Sequence, residues 1–395
     1  MRRVLITGAT GFIGGRLAEV ASAQGIQVVA LVRNWSRAAR LARLPAIMAY
    51  GDTLDLGSLR QAVKGCDVVV HCAVDNKADG EAHRRSIVEG TTNVMQAALE
   101  EGVKRVVHLS SVAVYSYRAG PDAATEGGAY RYSGDVYCDA KIDAEKVALR
   151  YYRERGLPVT VLRPTIVYGP FGEYFTQYTI RLIREGRMVL VNGGSGLCNA
   201  LYVDNLAEAM LLAADSDRAV GEVFHISDAN ATTWRQFVEG HARALGNAYL
   251  PLPEMATGEP AAGGTHAGSA GTHRSSPIQQ ILQVVRMCST GDTLDLVPWL
   301  ERPVRIGRAI ARAVVPRPLR LLVRESLRCS ATRTAPGSVD EPSLPPTLSQ
   351  AEVDLYTTSV VFSIEKARKL LGYEPQIDFA EGMERTAAWI RWARV

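Results

Sequence analysis

The sequence predicts an α/β chain built on a doubly wound parallel sheet, the Rossmann arrangement, on three observations. Short apolar, β-branched runs recur at residues 3–7, 27–32, 46–50, 67–71, 105–110 and 159–162. Stretches of helical spacing separate them, and such alternation specifies a parallel sheet covered by helices on both faces. Between the first run and the first helix stands Gly8-Ala9-Thr10-Gly11-Phe12-Ile13-Gly14, a G-x-x-G-x-x-G turn.

Taken in order, Val4, Leu5 and Ile6 form the first strand, and Ile13, Leu17, Val20 and Ala21 share the inner face of the helix that follows. Glycines at a strand-to-helix turn carry no Cβ, so a pyrophosphate can approach the backbone N–H groups at the helix N-terminus, where the macrodipole favours negative charge. The turn Gly8, Thr10, Gly11, Phe12, Ile13 and Gly14 is thus a candidate dinucleotide cradle. Ligands of doubly wound sheets bind beyond the carboxyl ends of the strands. That singles out Arg33 after the second run, Asp52 and Thr53 after the third, Cys72 and Ala73 after the fourth, and Ser111 after the fifth. Arg33 stands where NAD-selective proteins offer the ribose a carboxylate, and an arginine accommodates a 2′-phosphate, so NADP is expected, with NAD as the alternative.

Tyr137-Cys138-Asp139-Ala140-Lys141 opens the next helix and puts Tyr137 and Lys141, four apart, on one face. A free phenol, with a pKa of about 10, is a poor acid–base catalyst near neutrality. An ammonium one turn away and the positive ring of an oxidised nicotinamide would favour the phenolate and bring that pKa toward working pH. Tyr137 could then exchange a proton with a substrate hydroxyl or carbonyl as hydride passes to or from the cofactor, with Ser111 holding the same oxygen and Lys141 also reaching the nicotinamide ribose.

Beyond residue 165 the pattern loosens into shorter elements and returns to a helix ending Lys369-Leu370-Leu371-Gly372. This suggests a dinucleotide-binding domain over 1–165 and a substrate lobe over 166–395, some of whose segments return to the first. Residues 254–350 read as an insertion: linker-like stretches at 254–277 and 329–350 bracket an arginine-dense island, Pro298–Arg328. The island holds eight arginines, no lysine and two acids, and turns an otherwise slightly acidic chain into one of net charge +4. Arg305, Arg308 and Arg312 oppose Ile306, Ile310 and Ala313, so the island could lie on an anionic membrane surface, cover an anionic substrate, or form a solvated helical face.

A chain of 395 residues, 47% hydrophobic, can bury a sizeable core. Its modest net charge does not suggest a nucleic-acid partner. Six cysteines without a C-x-x-C pair suggest neither a zinc site nor a disulfide framework, and no metal is expected. The expected setting is a reducing cytoplasm, with membrane association through the island as an option. No run approaches the 18 or so apolar residues of a membrane span. His71, His108 and His225 lie at apolar runs and read as packed core.

With these pieces in place the chain resembles the extended short-chain dehydrogenase/reductase family, of the NAD(P)-dependent epimerase/dehydratase type. The resemblance rests on Gly8-x-x-Gly11-x-x-Gly14, Gly51-Asp52, His71-Cys72-Ala73, Gly90-Thr91-Thr92-Asn93-Val94, Ser110-Ser111, Tyr137-x-x-x-Lys141, Leu162-Arg163-Pro164, Tyr202-Val203-Asp204 and the ending at Gly372. It covers residues 1–235 and 360–395, and implies that Ser111, Tyr137 and Lys141 are catalytic, that Asp52 and Thr53 approach the adenine, and that Pro164 borders the nicotinamide. Sugar dehydratases of the family carry acids directly after the catalytic Ser/Thr. Here Val112 and Ala113 occupy those positions, which disfavours dehydration. The family's usual asparagine three residues before Gly90 is Ile87, a departure with no functional reading.

The expectation is an NADP-dependent dehydrogenase or reductase interconverting an alcohol and a ketone. The alternatives are a nucleotide-sugar 4-epimerase and a non-catalytic dinucleotide sensor. The small-molecule substrate, whether nucleotide sugar, sterol-like or another alcohol/ketone pair, is left open, as is a homodimer.

Overall fold

The computed structural model describes residues 2–75, 80–228, 230–246, 254–255 and 348–395. They belong to one compact unit, Met1–Glu259 with Leu344–Val395, while a second unit, Pro260–Ser343, lies outside the described residues together with the arginine island.

The chain begins β1 (Arg3–Thr7), α1 (Phe12–Ala23), β2 (Gln27–Val32), β3 (Ile47–Tyr50), α2 (Leu56–Val63), β4 (Val68–His71), α3 (Gly80–Glu100), β5 (Arg105–Leu109), α4 (Val136–Arg155) and β6 (Val159–Pro164). It continues β7 (Ile166–Tyr168), α5 (Thr179–Arg184), β8 (Leu190–Val191), β9 (Ala200–Tyr202), α6 (Val203–Asp215), β10 (Val223–Ile226), α7 (Trp234–Ala244) and β11 (Glu254–Met255). It closes with α8 (Gln350–Thr357), α9 (Glu365–Leu371) and α10 (Phe379–Ala393).

Seven parallel strands form the main sheet in the order β10-β6-β5-β4-β1-β2-β3. The order reverses between β1 and β4, and at that switch point a crevice opens beyond the strand ends. Alternation within each strand feeds two cores. Val4 and Ile6 of β1 pack with Leu17 and Ala21 of α1 and with Leu206 and Met210 of α6. Leu5 points the other way, onto Leu59 of α2 and Val94 and Met95 of α3. Each such side chain contributes roughly 1.5–3 kcal/mol when fully buried, so the two-sided burial outweighs the weak helix propensity of a glycine-rich α1.

The second half supplies β10 to the sheet and otherwise builds the small pairs β7–β9 and β8–β11. Glu254-Met255, expected to open a linker, pairs in parallel with Leu190-Val191. The C-terminal chain is tied down by Asn205. Its Nδ2 donates to the carbonyl of Ile377 and to Asp228 Oδ1, both at 2.7 Å, and its Oδ1 accepts from the N–H groups of Gln376 and Ile377 at 3.1 Å.

Candidate active site

One cavity of about 590 Å³ lies beyond the carboxyl ends of the strands. Every site residue singled out in the sequence lines it: Gly8, Thr10, Gly11, Phe12, Ile13, Gly14, Arg33, Asp52, Thr53, Cys72, Ala73, Ser111, Tyr137, Lys141 and Pro164.

At the switch point Gly8 has φ +70°, and a Cβ on it would stand 2.9 Å from the Ala73 Cα across the crevice. A Cβ on Gly14 would come within 2.5 Å of the Gly8 carbonyl oxygen. The turn closes through the Gly11 N–H donating to the Gly8 carbonyl at 2.9 Å, and no side chain caps the N-terminus of α1. A cradle that only glycine permits, under uncapped helix amides, fits a dinucleotide pyrophosphate. Next to it, Asp52 Oδ1 accepts from the Leu54 N–H at 3.0 Å, and Gly90 lets α3 approach Thr53. Arg33 is half exposed, its guanidinium 2.9 Å from Asp75 Oδ2 and 3.5 Å from Asp52 Oδ2. Arg37 also lines this end and donates to Glu173 at 3.3 Å.

At the other end, Ser111 is extended at φ −163° and its Oγ accepts from the Ala113 N–H at 3.1 Å, capping a short turn. Asp135 caps α4 by accepting from the Cys138 N–H at 2.9 Å, which fixes Tyr137 in the first turn. The Ser111 hydroxyl is near enough to the Tyr137 phenol to favour its ionised form. Lys141 is buried, donates from Nζ to the Leu109 carbonyl at 2.9 Å, and lies 5.9 Å from the centre of the Tyr137 ring.

Burial dominates the electrostatics at Tyr137 and pushes its phenol up to about 12, against the downward pull of the Ser111 hydroxyl. Burial also brings the Lys141 ammonium down to about 8. For both groups burial is the largest influence.

His71 and His108 are buried on neighbouring strands with ring centres 5.5 Å apart, and burial lowers both, His71 to about 3. His71 is held by Thr7 Oγ1 at 2.7 Å and Thr91 Oγ1 at 3.1 Å. His225 is equally buried and bonds through Nε2 to the Tyr115 hydroxyl at 2.8 Å, as packed core.

Sequence reasoning missed what supports this end. Glu145 follows Lys141 by four residues on the same face of α4 and is fully buried. Its Oε2 accepts from Ser110 Oγ at 2.5 Å, and its Oε1 accepts from Arg163 Nη2 at 2.5 Å and from the Tyr130 hydroxyl at 2.9 Å. Arg163 also donates to the Tyr115 hydroxyl. One ion pair therefore joins the residue before Ser111, the residue before Pro164 and the helix of Tyr137 and Lys141. The extension of the Tyr137, Lys141 spacing by four to Glu145, with Arg163 interrupting an apolar strand, was the available signal.

The model of the NAD dependent epimerase/dehydratase family matches residues 4–227. The 4-hydroxy-2-methyl-3-oxo-4-farnesyl-3,4-dihydroquinoline-1-oxide ketoreductase of Stigmatella aurantiaca is 31% identical over 242 residues, 60% of this chain and 71% of that protein. The N-acetyl-alpha-D-glucosaminyl-diphospho-ditrans,octacis-undecaprenol 4-epimerase of Escherichia coli O157:H7 is 29% identical, over 63% of this chain and 76% of its own. Among solved structures, the UDP-glucose 4-epimerase of Thermotoga maritima superposes with a TM-score of 0.66 at 17% identity, covering 100% of both chains, a likeness of fold. Matched over more than half its length, the chain belongs to the NAD dependent epimerase/dehydratase family and is an NAD(P)-dependent enzyme interconverting an alcohol and a ketone.

Proposed function

We propose that the chain is an NADP-dependent reductase of a small-molecule ketone, with Ser111, Tyr137 and Lys141 as its catalytic residues. The observation that carries this reading is the convergence of Ser111, Tyr137 and Lys141 on one cavity beyond the strand ends. The glycine turn would hold the pyrophosphate of NADP, whose nicotinamide, bordered by Pro164, would supply the hydride for the carbonyl carbon. Ser111 donates a hydrogen bond to the carbonyl oxygen, and Tyr137 transfers its phenolic proton to that oxygen as charge develops there. Lys141, at about 8, carries a positive charge through much of the neutral range, stabilises the phenolate left behind and loses a proton readily enough to help restore it. Val112 and Ala113, which also line the cavity, place no acid directly after Ser111, which disfavours expulsion of a hydroxyl. The Stigmatella relative, a ketoreductase by name, supports this direction.

Tyr137→Phe removes the transferable proton alone. Steady-state turnover of a ketone is expected to fall by a factor on the order of 10² or more, with cofactor binding retained. Unchanged turnover overturns the mechanism.

Two finer points belong to the same reading. Arg33 and Arg37 at the adenosine end support NADP over NAD. The island Pro298–Arg328 supports attachment to an anionic membrane, each basic residue near such a surface adding about 1 kcal/mol. Salt-sensitive binding to phosphatidylserine vesicles, lost on deleting the island, is expected. Indifference to vesicles at low salt removes this attachment. The 4-epimerase reading is favoured by the Escherichia coli relative, by name the epimerase of a sugar linked through a diphosphate to undecaprenol, and requires conversion of a sugar without net NADPH consumption.

A further inference from the structure

We propose that the segment Ser349–Ile364 is the specificity wall of the cavity and that it receives the apolar body of an uncharged ketone, an inference that rests on the oxidoreductase reading of the same site. The segment re-enters the described chain far in sequence from every other part of the cavity, yet hydrogen bonds fix it there, Arg118 Nε to Asp354 Oδ1 at 3.1 Å among them. The Leu197 N–H donates to the Thr358 carbonyl at 2.7 Å, Asn199 Nδ2 to the Val360 carbonyl at 2.8 Å, the Ser363 N–H to the Ala124 carbonyl at 2.9 Å, and Trp234 Nε1 to the Leu355 carbonyl at 3.1 Å. Gly196 makes the approach possible, since a Cβ there would overlap the Tyr356 carbonyl oxygen. A Ser349–Glu352 capping box starts α8, so the wall begins as a formed helix.

Leu355, Thr358 and Phe362 of this segment line the cavity that also contains Val112, Tyr117 and Phe175. Phe362 is itself held in place, stacked on Tyr115 at 6.1 Å and edge-on to His225 at 5.4 Å. Burial keeps the Tyr117 hydroxyl protonated, so it enters the wall as a neutral ring. The cations that line the cavity among the described residues are each engaged. Arg33 faces Asp75 and Asp52, Arg37 faces Glu173, and Lys141 faces the Leu109 carbonyl. A diphosphate placed against Leu355 and Phe362 would trade its hydration for hydrocarbon, a large cost, whereas an alkyl or aryl group gains from the same transfer.

The test is a binding series on the full chain loaded with NADP: unbranched 2-ketones of four to ten carbons, with UDP-glucose as the contrasting probe. Each added CH₂ is expected to tighten Kd by about fourfold until the wall is filled. Leu355→Asp and, on the facing wall, Val112→Asp should flatten the series, and Leu355→Met should preserve it. Thermal unfolding of each variant separates lost binding from lost folding, and Val112→Asp keeps the test alive if Leu355→Asp does not fold. A wild-type series without slope, a slope unchanged in both aspartate variants, or UDP-glucose binding tighter than the longest ketone overturns the inference. Tyr137→Phe should keep the slope while losing turnover. Full turnover in that variant would defeat the catalytic reading and leave the wall standing, whereas a flat series with Tyr137-dependent turnover does the reverse.

Discussion

The two ends of the cavity are built by different kinds of chain. The nucleotide end is assembled from strand ends: Gly8 after β1, Arg33 after β2, Asp52 after β3 and Cys72 after β4. The substrate end draws on Val112, Tyr117, Phe175, Leu197, Leu355 and Phe362, which no regular period relates. Backbone ladders between parallel strands position the first set, so the sheet specifies them as soon as it forms. Individual bonds between segments distant in sequence position the second, such as Asn199 to Val360 and Trp234 to Leu355. Changes in the sheet end should therefore cost folding stability in large units, and changes in the substrate end in smaller and more local ones.

The largest effect is expected where the two ends meet, at Glu145 and Arg163. Removing one member of a buried ion pair leaves the other charge without a partner, which costs about 3–5 kcal/mol. Glu145→Ala also strips Ser110 Oγ and the Tyr130 hydroxyl of their acceptor. Urea unfolding should show a loss of that size, and the double variant Glu145→Leu with Arg163→Met should recover part of it. A single variant as stable as wild type would mean that water already reaches the pair and that the two ends are not joined there.

The sheet end was legible because its signals are local runs of chain. Continuous apolar, β-branched runs located β1 and β2 with their observed boundaries, and the glycine turn between β1 and α1 pointed to a dinucleotide by its place after the first strand together with its spacing. Of the substrate end, sequence reasoning named Pro164, Val112 and Ala113, all of which line the cavity. Leu355 and Phe362 carried no signal, since their role depends on a chain return after the insertion. Glu145 was hidden differently. A buried glutamate on a helix bearing basic and acidic residues looks like any solvated charge until Arg163 is seen opposite it.

A smaller loss is expected at Asn205, which fastens the C-terminal chain. Asn205→Ala withdraws a donor from Asp228 and the Ile377 carbonyl and an acceptor from two backbone N–H groups. Each buried group left unsatisfied costs about 1–3 kcal/mol, but the segment from Gln376 to Ile377 can shift toward water, so a total of about 2–3 kcal/mol is expected. Asp228 adds a pH signature. Burial raises its carboxyl from 3.8 to about 7, so the folded chain keeps a proton that the unfolded chain releases. That contribution is complete below pH 3.8 and is lost as pH rises through about 7. Asp228→Asn cannot ionise, so its stability relative to wild type should climb between pH 4 and 7. A constant difference across that range would show the carboxylate to be solvated.

The smallest effect is expected at the rim of the nucleotide end, where Arg33 is half exposed and shared between Asp52 and Asp75. A 2′-phosphate competes with those carboxylates for the guanidinium, and ordinary salt screens all three. A hydrogen bond to a charged group contributes roughly 1.5–3 kcal/mol when well formed, and the lower part of that range suits so exposed a site. Arg33→Ala should therefore weaken NADP about tenfold while leaving NAD nearly unchanged, read by titrating both cofactors. The difference should shrink as ionic strength rises. Equal affinities for the two cofactors in the wild-type chain would mean that Asp52 and Asp75 hold the arginine away from the ribose, and that the nucleotide end is tuned by its carboxylates instead.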